Sequence, residues 1–261
     1  MLPITFLKSR WNKYNFLFEE LVKRDFKSKY KRTFLGIVWS MLSPLLQLVV
    51  MMLVFVNFFG REMPHFIVYV FSGLVVFTFF KESTSTGMQS IMSNSGIFSK
   101  IKVPKYLFLF SRNVSALINF GLTLAILFLF AVIDGVSFHP RFLLLIYPII
   151  TLTIFNIGMG LILSTLYVFF KDVQYLYDIF TMLLMWLSAI FYTIDIFSDT
   201  IQRLFLLNPV FVHIHYFRLV ILQGLVPAWH IQAICGLFAF LALFIGGLLY
   251  KKHSNRFIYY M

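Results

Sequence analysis

The chain has 261 residues, 60% hydrophobic and 20% aromatic, with only 12% charged and a mean hydropathy of +0.87. A globular protein in water carries roughly 25% charged residues, so a water-soluble domain is excluded as the main fold class. Lys and Arg number 22 against 10 Asp and Glu, a formal charge of +12, and the single cysteine, Cys235, excludes a disulfide framework or a thiolate metal cluster within the chain.

Nine basic residues (Lys8, Arg10, Lys13, Lys23, Arg24, Lys27, Lys29, Lys31, Arg32) precede the first apolar run. No short apolar core lies among them, so this segment reads as retained rather than as a cleaved leader. Over residues 14–32, Tyr14, Phe18, Val22, Phe26 and Tyr30 recur at i+4 steps beside Leu17 and Leu21. Glu19 with Lys23 and Glu20 with Arg24 form i,i+4 pairs elsewhere on the surface. The pattern predicts a basic amphipathic helix. It suits both an electrostatic anchor to anionic lipid and a helix that also touches a partner protein.

A bilayer core about 30 Å thick takes roughly 20 helical residues. Six runs of that order follow, at residues 34–59, 66–87, 114–133, 142–170, 176–196 and 231–250. The second is apolar only to Phe80, where Lys81, Glu82, Ser83, Thr84, Ser85 and Thr86 take over. Its apolar part reaches only about 22 Å at ~1.5 Å per residue, so the helix is expected to continue with its polar half against protein or a wet cavity. With six spans both termini share one side. Eighteen basic and six acidic residues fall on that side, and four of each on the other. The positive-inside rule then gives N-in and C-in, in an all-α polytopic protein. The whole excess charge is thereby used in topology, which argues against nucleic-acid binding.

The connection 81–110 is the longest on the cytoplasmic side. Met88, Ile91 and Met92 keep helical spacing until Asn94, Ser95 and Gly96, a predicted helix stop. Phe98 and Ile101 then share a face while Lys100, Lys102 and Lys105 point away, and Pro104 suits the first turn of the next helix. Such an element fits a soluble partner's groove, and it equally fits a solvated basic loop that only enforces topology. On the outer side, residues 197–230 are too apolar for a solvated loop. Ser198 or Asp199 can cap a helix carrying Ile201, Leu204 and Phe205, Asn208-Pro209 interrupts it, and Val210, Ile214, Phe217 and Ile221 mark a second helix running to Gly224. Each piece is too short to span, which predicts a re-entrant pair; the rival is a seventh span over 205–225.

Catalytic signatures are missing: no G-x-x-x-x-G-K-[ST] phosphate loop, no H-E-x-x-H and no G-x-S-x-G elbow. His213 and His215 lie i,i+2 and would point to different faces of a helix. Glu82, Asp172, Asp178 and Asp195 sit near span ends, where capping or snorkelling accounts for them, and Glu82 alone is suspected of facing a cavity. Trp39, Tyr175, Tyr177, Trp186 and Tyr192 have amphipathic rings that suit a lipid interface and also suit the C–H faces of a sugar.

The run Lys29-Tyr30-Lys31-Arg32-Thr33-Phe34-Leu35-Gly36-Ile37-Val38-Trp39-Ser40, continuing to Pro44-Leu45, resembles the entry to the first span of ABC type-2 permeases that export polysaccharides such as O-antigen, capsule and teichoic acid. Gly158-Met159-Gly160 with Tyr167-Val168-Phe169-Phe170-Lys171-Asp172-Val173 resembles the end of that family's fourth span. Phe191-Tyr192 followed by Asn208-Pro209 resembles its fifth span and outer gate. The likeness runs over nearly the whole chain, in order.

The resemblance implies half of a homodimeric channel in the cell membrane, powered by two copies of a separate ATPase that binds the ATP and Mg, with no cofactor on this chain. It implies an interface helix in the N-terminal part (1–33) carrying Phe18, Leu21, Val22, Arg24 and Phe26. It also implies a transmembrane domain (34–250), a coupling segment (94–105) with Phe98, Lys100, Ile101, Lys102 and Lys105, and a cytoplasmic tail (251–261). Spans one and five would line the conduit through Trp39, Tyr177, Trp186 and Tyr192, and residues 198–224 would form the outer gate with Asn208, Pro209, His213 and Arg218. The chain departs from some relatives at Leu187-Ser188-Ala189-Ile190, where a proline often precedes the aromatic. The cargo implied is a lipid-linked polysaccharide or teichoic acid-like polymer crossing within membrane lipid. The rivals are a small-lipid or drug exporter of the same superfamily and a polytopic membrane glycosyltransferase or acyltransferase.

Overall fold

The computed structural model describes residues 4–30, 36–51, 53, 64–98 and 103–260, and every regular element among them is helical. The first helix, α1 (Ile4–Tyr30), starts ten residues before the predicted pattern, in a stretch free of Gly and Pro. A short helix α2 (Trp39–Met51) with Pro44 inside follows. A 3-10 turn, Gly36–Val38, precedes it; residues 52 and 54–59 of the predicted first span, like Lys31 to Leu35 of the entry motif, lie outside the described residues.

Among the described residues four helices are long and apolar enough to cross a membrane. They are α3 (Phe66–Gln89), α5 (Tyr106–Ile133), α6 (Ile146–Phe169, entered through a 3-10 segment Pro140–Leu145) and α10 (Trp229–His253). A fifth crossing is reached only if two short helices bent by 103°, α8 (Asp199–Phe205) and α9 (Pro209–Ile221), count as one span.

The centre of the bundle is α3. It packs on α5, α6 and α9, and seventeen of its residues are buried. This is why the second span tolerates its polar half: Ser83 donates to Asn113 on α5, and Thr84 Oγ1 donates to the Phe80 carbonyl at 2.7 Å. Glu82 accepts from Asn119 Nδ2 at 2.8 Å, so the helix does run on past Thr86 with its polar groups against protein. The helix ends earlier than predicted, at Gln89 rather than near Asn94, because the Ser90 N–H and hydroxyl both engage the Gly87 carbonyl (3.2 and 2.6 Å) and tighten the turn. A 3-10 turn and a four-residue helix, α4 (Ser95–Phe98), follow.

Small residues set the closest packing. A Cβ on Gly158 would fall on the backbone of Ala242 and Leu243, and one on Gly246 would fall on the Gly158 carbonyl oxygen. Helices α6 and α10 therefore cross at backbone contact through Gly158 and the Ala242-x-x-x-Gly246 pair, a membrane helix-packing pattern. Gly160 takes Leu109 of α5 against its face and meets Gly87 of α3.

The fifth predicted span is corrected. Helix α7 (Val173–Leu187) has 15 residues and stops well short of Ile196. Ser188 Oγ turns back to the Leu184 carbonyl at 2.6 Å and Ala189 takes a left-handed φ of 48°. A β-carbon disfavours that conformation, so surrounding contacts must hold it. The third span also begins earlier than its apolar run, at Tyr106. The tail is no free extension: α10 continues to His253 and Phe257 is completely buried.

Candidate functional sites

Two polar clusters lie at opposite ends of the bundle. The basic end gathers α1, the α4 turn, the start of α5 and the tail. Over residues 14–28 of α1, Leu21 and Asp25 are buried, so the buried face there is centred slightly off the predicted stripe, with Phe18, Val22 and Phe26 half-buried. Asp25 accepts from Arg24 (Nε 3.0 Å, Nη2 2.8 Å) and from Ser111 Oγ of α5 (2.8 Å), and Arg112 Nε stands 3.5 Å from it. A buried carboxylate is tolerable only when paired and hydrogen-bonded, and Asp25 is both. It fastens α1 to α5, a role that its place among the many charges of the N-terminal segment does not announce.

Phe98 stacks edge-to-face on Phe108 at 4.8 Å and is half-buried, so part of the side expected to meet a partner is spent within the chain. Lys105 Nζ donates to the Ser254 carbonyl at 2.7 Å and lies 5.4 Å over the Phe257 ring; burial there lowers its pKa from the usual lysine range. Phe257 also packs on Phe169 and Tyr250. Lys100, Ile101 and Lys102 lie outside the described residues.

At the far end the controlling group is Arg218. It is 5% exposed, and its guanidinium donates to the carbonyls of Ala189 (2.8 Å), Ile190 (2.9 Å) and Tyr69 (3.2 and 3.3 Å). It lies 3.4 Å over the Tyr69 ring. Among the described residues no carboxylate pairs with it. Its charge faces instead the carbonyls beyond the C-terminal end of α7, where the helix dipole favours a cation. Tyr69 adds a bond from its hydroxyl to the Tyr192 carbonyl (2.8 Å). Asn208 completes the join: its side-chain oxygen accepts from Val210 N and Phe211 N, capping α9, while its amide donates to the Leu187 carbonyl (3.1 Å) and Ser188 Oγ (3.0 Å). Pro209 occupies the first helical position, as its fixed φ favours. Ser198 precedes α8 but makes no side-chain cap bond.

Of the other residues singled out in the sequence, His213 is buried between the Pro209 carbonyl (2.7 Å) and Thr151 Oγ1 (3.1 Å). His215 points elsewhere, stacked on Phe211. Trp39 and Trp186 are exposed, and Tyr192 is half-buried with its hydroxyl on the Trp186 carbonyl at 2.7 Å. Tyr177 is not on that surface. It is buried, and its hydroxyl donates to Thr84 Oγ1 at 2.5 Å, joining α7 to α3. Apart from Thr181 and Leu184, which are also buried, most of α7's apolar side chains, including Leu176, Ile179, Leu183 and Leu187, form a bare face, as do Leu46, Val49 and Val50 of α2.

A family model described as ABC-2 type transporter matches residues 17–222. The O-antigen export system permease protein RfbA of Klebsiella pneumoniae is 26% identical over 256 residues, covering 96% of this chain and 98% of that protein. The protein of that name from Myxococcus xanthus is 26% identical over 201 residues, 76% of each chain. The polysialic acid transport protein KpsM of Escherichia coli is 24% identical over 243 residues, 92% of this chain and 94% of its own.

Proposed function

We propose a function from one premise: the chain belongs to the ABC-2 type transporter family. It is the membrane-spanning permease subunit of an exporter that moves a lipid-linked cell-surface polysaccharide out of the cytoplasm. The observation that carries this reading is the near end-to-end likeness to proteins named for O-antigen export and polysialic acid transport. In this reading six spans cross the cell membrane with both termini inside. The one-sided basic charge supports that orientation, and so does the packing of α1 and the tail at the same end. A second copy covers the bare faces of α2 and α7, and the conduit runs between the copies past Trp39, Trp186 and Tyr192.

Two copies of a separate ATPase carry ATP and Mg and dock at the basic end, on the interface helix and the coupling segment 94–105. Helices α8 and α9 re-enter the outer leaflet as the gate, held shut or open through Asn208 and Arg218. The test is depletion of this chain in its own cell. Surface polysaccharide should fall while lipid-linked polymer accumulates on the cytoplasmic side, and the chain should co-purify with an ATPase. Unchanged surface polymer on depletion would overturn the reading.

A further inference from the structure

A cavity of about 620 Å³ opens at the far end among the start of α3, the α7–α8 connection, α8, α9 and the start of α10. It lies within one protomer, and neither Trp39 nor Trp186 lines it. Its rigid wall is made by Tyr69 and Arg218, whose polar atoms are spent on backbone carbonyls. Of the other polar side chains on it, Gln202 donates to the Phe197 carbonyl at 2.9 Å and His65 pairs with Asp134 at 2.9 Å, while others are unspent. His215 is half-buried and stacked flat on Phe211 (5.6 Å, 13°), yet among the described residues neither ring nitrogen has a hydrogen-bond partner. Asp195, Asp199, Arg203 and Gln223 likewise make no side-chain hydrogen bond among the described residues. Two carboxylates and two guanidinium groups line it, so the lining has no net formal charge to favour a polyanion, while Ile194 and Leu222 supply apolar wall. Unused carboxylate, amide and imidazole groups over an apolar floor, in a volume within the usual range for a ligand site, match a hydroxyl-rich neutral sugar: its hydroxyls donate to Asp195 and accept from Gln223, and its C–H face lies on the aliphatic wall.

We propose that this cavity is an exit subsite that holds a short neutral stretch of the polymer as it leaves, one subsite per protomer, beside the gate rather than in the conduit. The inference rests on the export reading and narrows it. The test is Gln223→Cys, labelled on intact cells with a membrane-impermeant sulfonated maleimide, with Thr200→Cys on the exposed surface of α8 as control; the native Cys235 is fully buried. Labelling Gln223→Cys should lower surface polymer severalfold, and labelling should be slower in cells making polymer than in cells blocked in its synthesis. Labelling Thr200→Cys should do neither. A second variant, His215→Phe, keeps the stack on Phe211 and removes both ring nitrogens; it should reduce export with the protein present at normal level. Full export from labelled Gln223→Cys with equal labelling rates would overturn the subsite. If depletion of the chain itself leaves surface polymer unchanged, the export reading fails instead.

Discussion

Replacing Arg218 with Met tests whether one buried cation holds the far end together. Met keeps most of the side chain's length and apolar bulk but leaves the carbonyls of Ala189 and Ile190 without their donor, while that of Tyr69 keeps the Ser72 hydroxyl at 2.8 Å. Orphaning a buried carbonyl costs about 1–3 kcal/mol, so two give a range of about 2–6 kcal/mol. Two effects pull the value down. The desolvation cost of the charge disappears, and water from the adjacent cavity can reach some of the freed carbonyls. Hydrogen bonds measured between membrane helices also average only ~0.6 kcal/mol each, which for four bonds gives about 2.4 kcal/mol. The expected loss is therefore about 3 kcal/mol, roughly a hundredfold in the equilibrium between held and released α7. The assay is thermal unfolding of the purified protein in detergent, together with protease access to residues 188–198. Arg218→Lys should recover part of the effect, since an ammonium cannot reach all three carbonyls in the fork geometry. An Arg218→Met protein with unchanged melting and unchanged protease access would refute the argument, and Ala189 would then owe its left-handed conformation to something else.

Gly158→Leu should force α6 and α10 apart where their backbones touch, at about 1–3 kcal/mol or more for overpacking, seen as a lower melting temperature. The same change at Gly247, where a β-carbon would meet only open space, should be mild. Asp25→Asn keeps an acceptor for Ser111 but removes the charge facing Arg24 and Arg112. Both arginines are partly exposed, so the loss should be about 1–2 kcal/mol, below the value for a fully buried broken pair; a double-mutant cycle with Ser111→Ala should show coupling. Charge reversal at Lys100 and Lys102 together should weaken co-purification of the ATPase without lowering the melting temperature. Phe98→Asp should lower both, because Phe98 also packs on Phe108.

What the sequence makes legible here is what apolar length and local chemistry decide. Three of the four long helices (α5, α6 and α10) announce themselves by long apolar runs, α3 by an apolar run that ends at Phe80, and α9 by the Asn-Pro start and its i+4 repeat. The end of α7 is not legible, because Ser188 and Ala189 are ordinary residues in an apolar run. The break is held by Arg218, almost thirty positions further on. An arginine inside an apolar stretch is costly in a membrane, and that cost is the available signal that it must be satisfied internally. Asp25 is similar: its partners Ser111 and Arg112 lie more than eighty residues away, so nothing local distinguishes it from Glu19 or Glu20. Tyr177 is misplaced by the same kind of gap. Its ring type suits a conduit, but its i+4 neighbour Thr181 is buried too, and the pair turns inward toward α3.

These long-range contacts share a pattern. Helix α3 is fastened to the α7 region at two depths by polar bonds, Tyr177 to Thr84 along α7 and the Arg218–Tyr69 group beyond its end. Between them α7 shows most of its apolar side chains to the outside of the protomer. By contrast α6 and α10 meet through interlocked backbone and small residues, a contact that close packing makes hard to slide. Bonds between a few polar groups can be exchanged for others without dismantling a packed surface, and the break at Ser188–Ala189 supplies non-helical backbone on which a change of angle costs no helical hydrogen bond. The parts of the molecule free to rearrange are thus α7 and α8, which has no buried residue, while α3, α6, α10 and the buried α9 form the frame against which they would move.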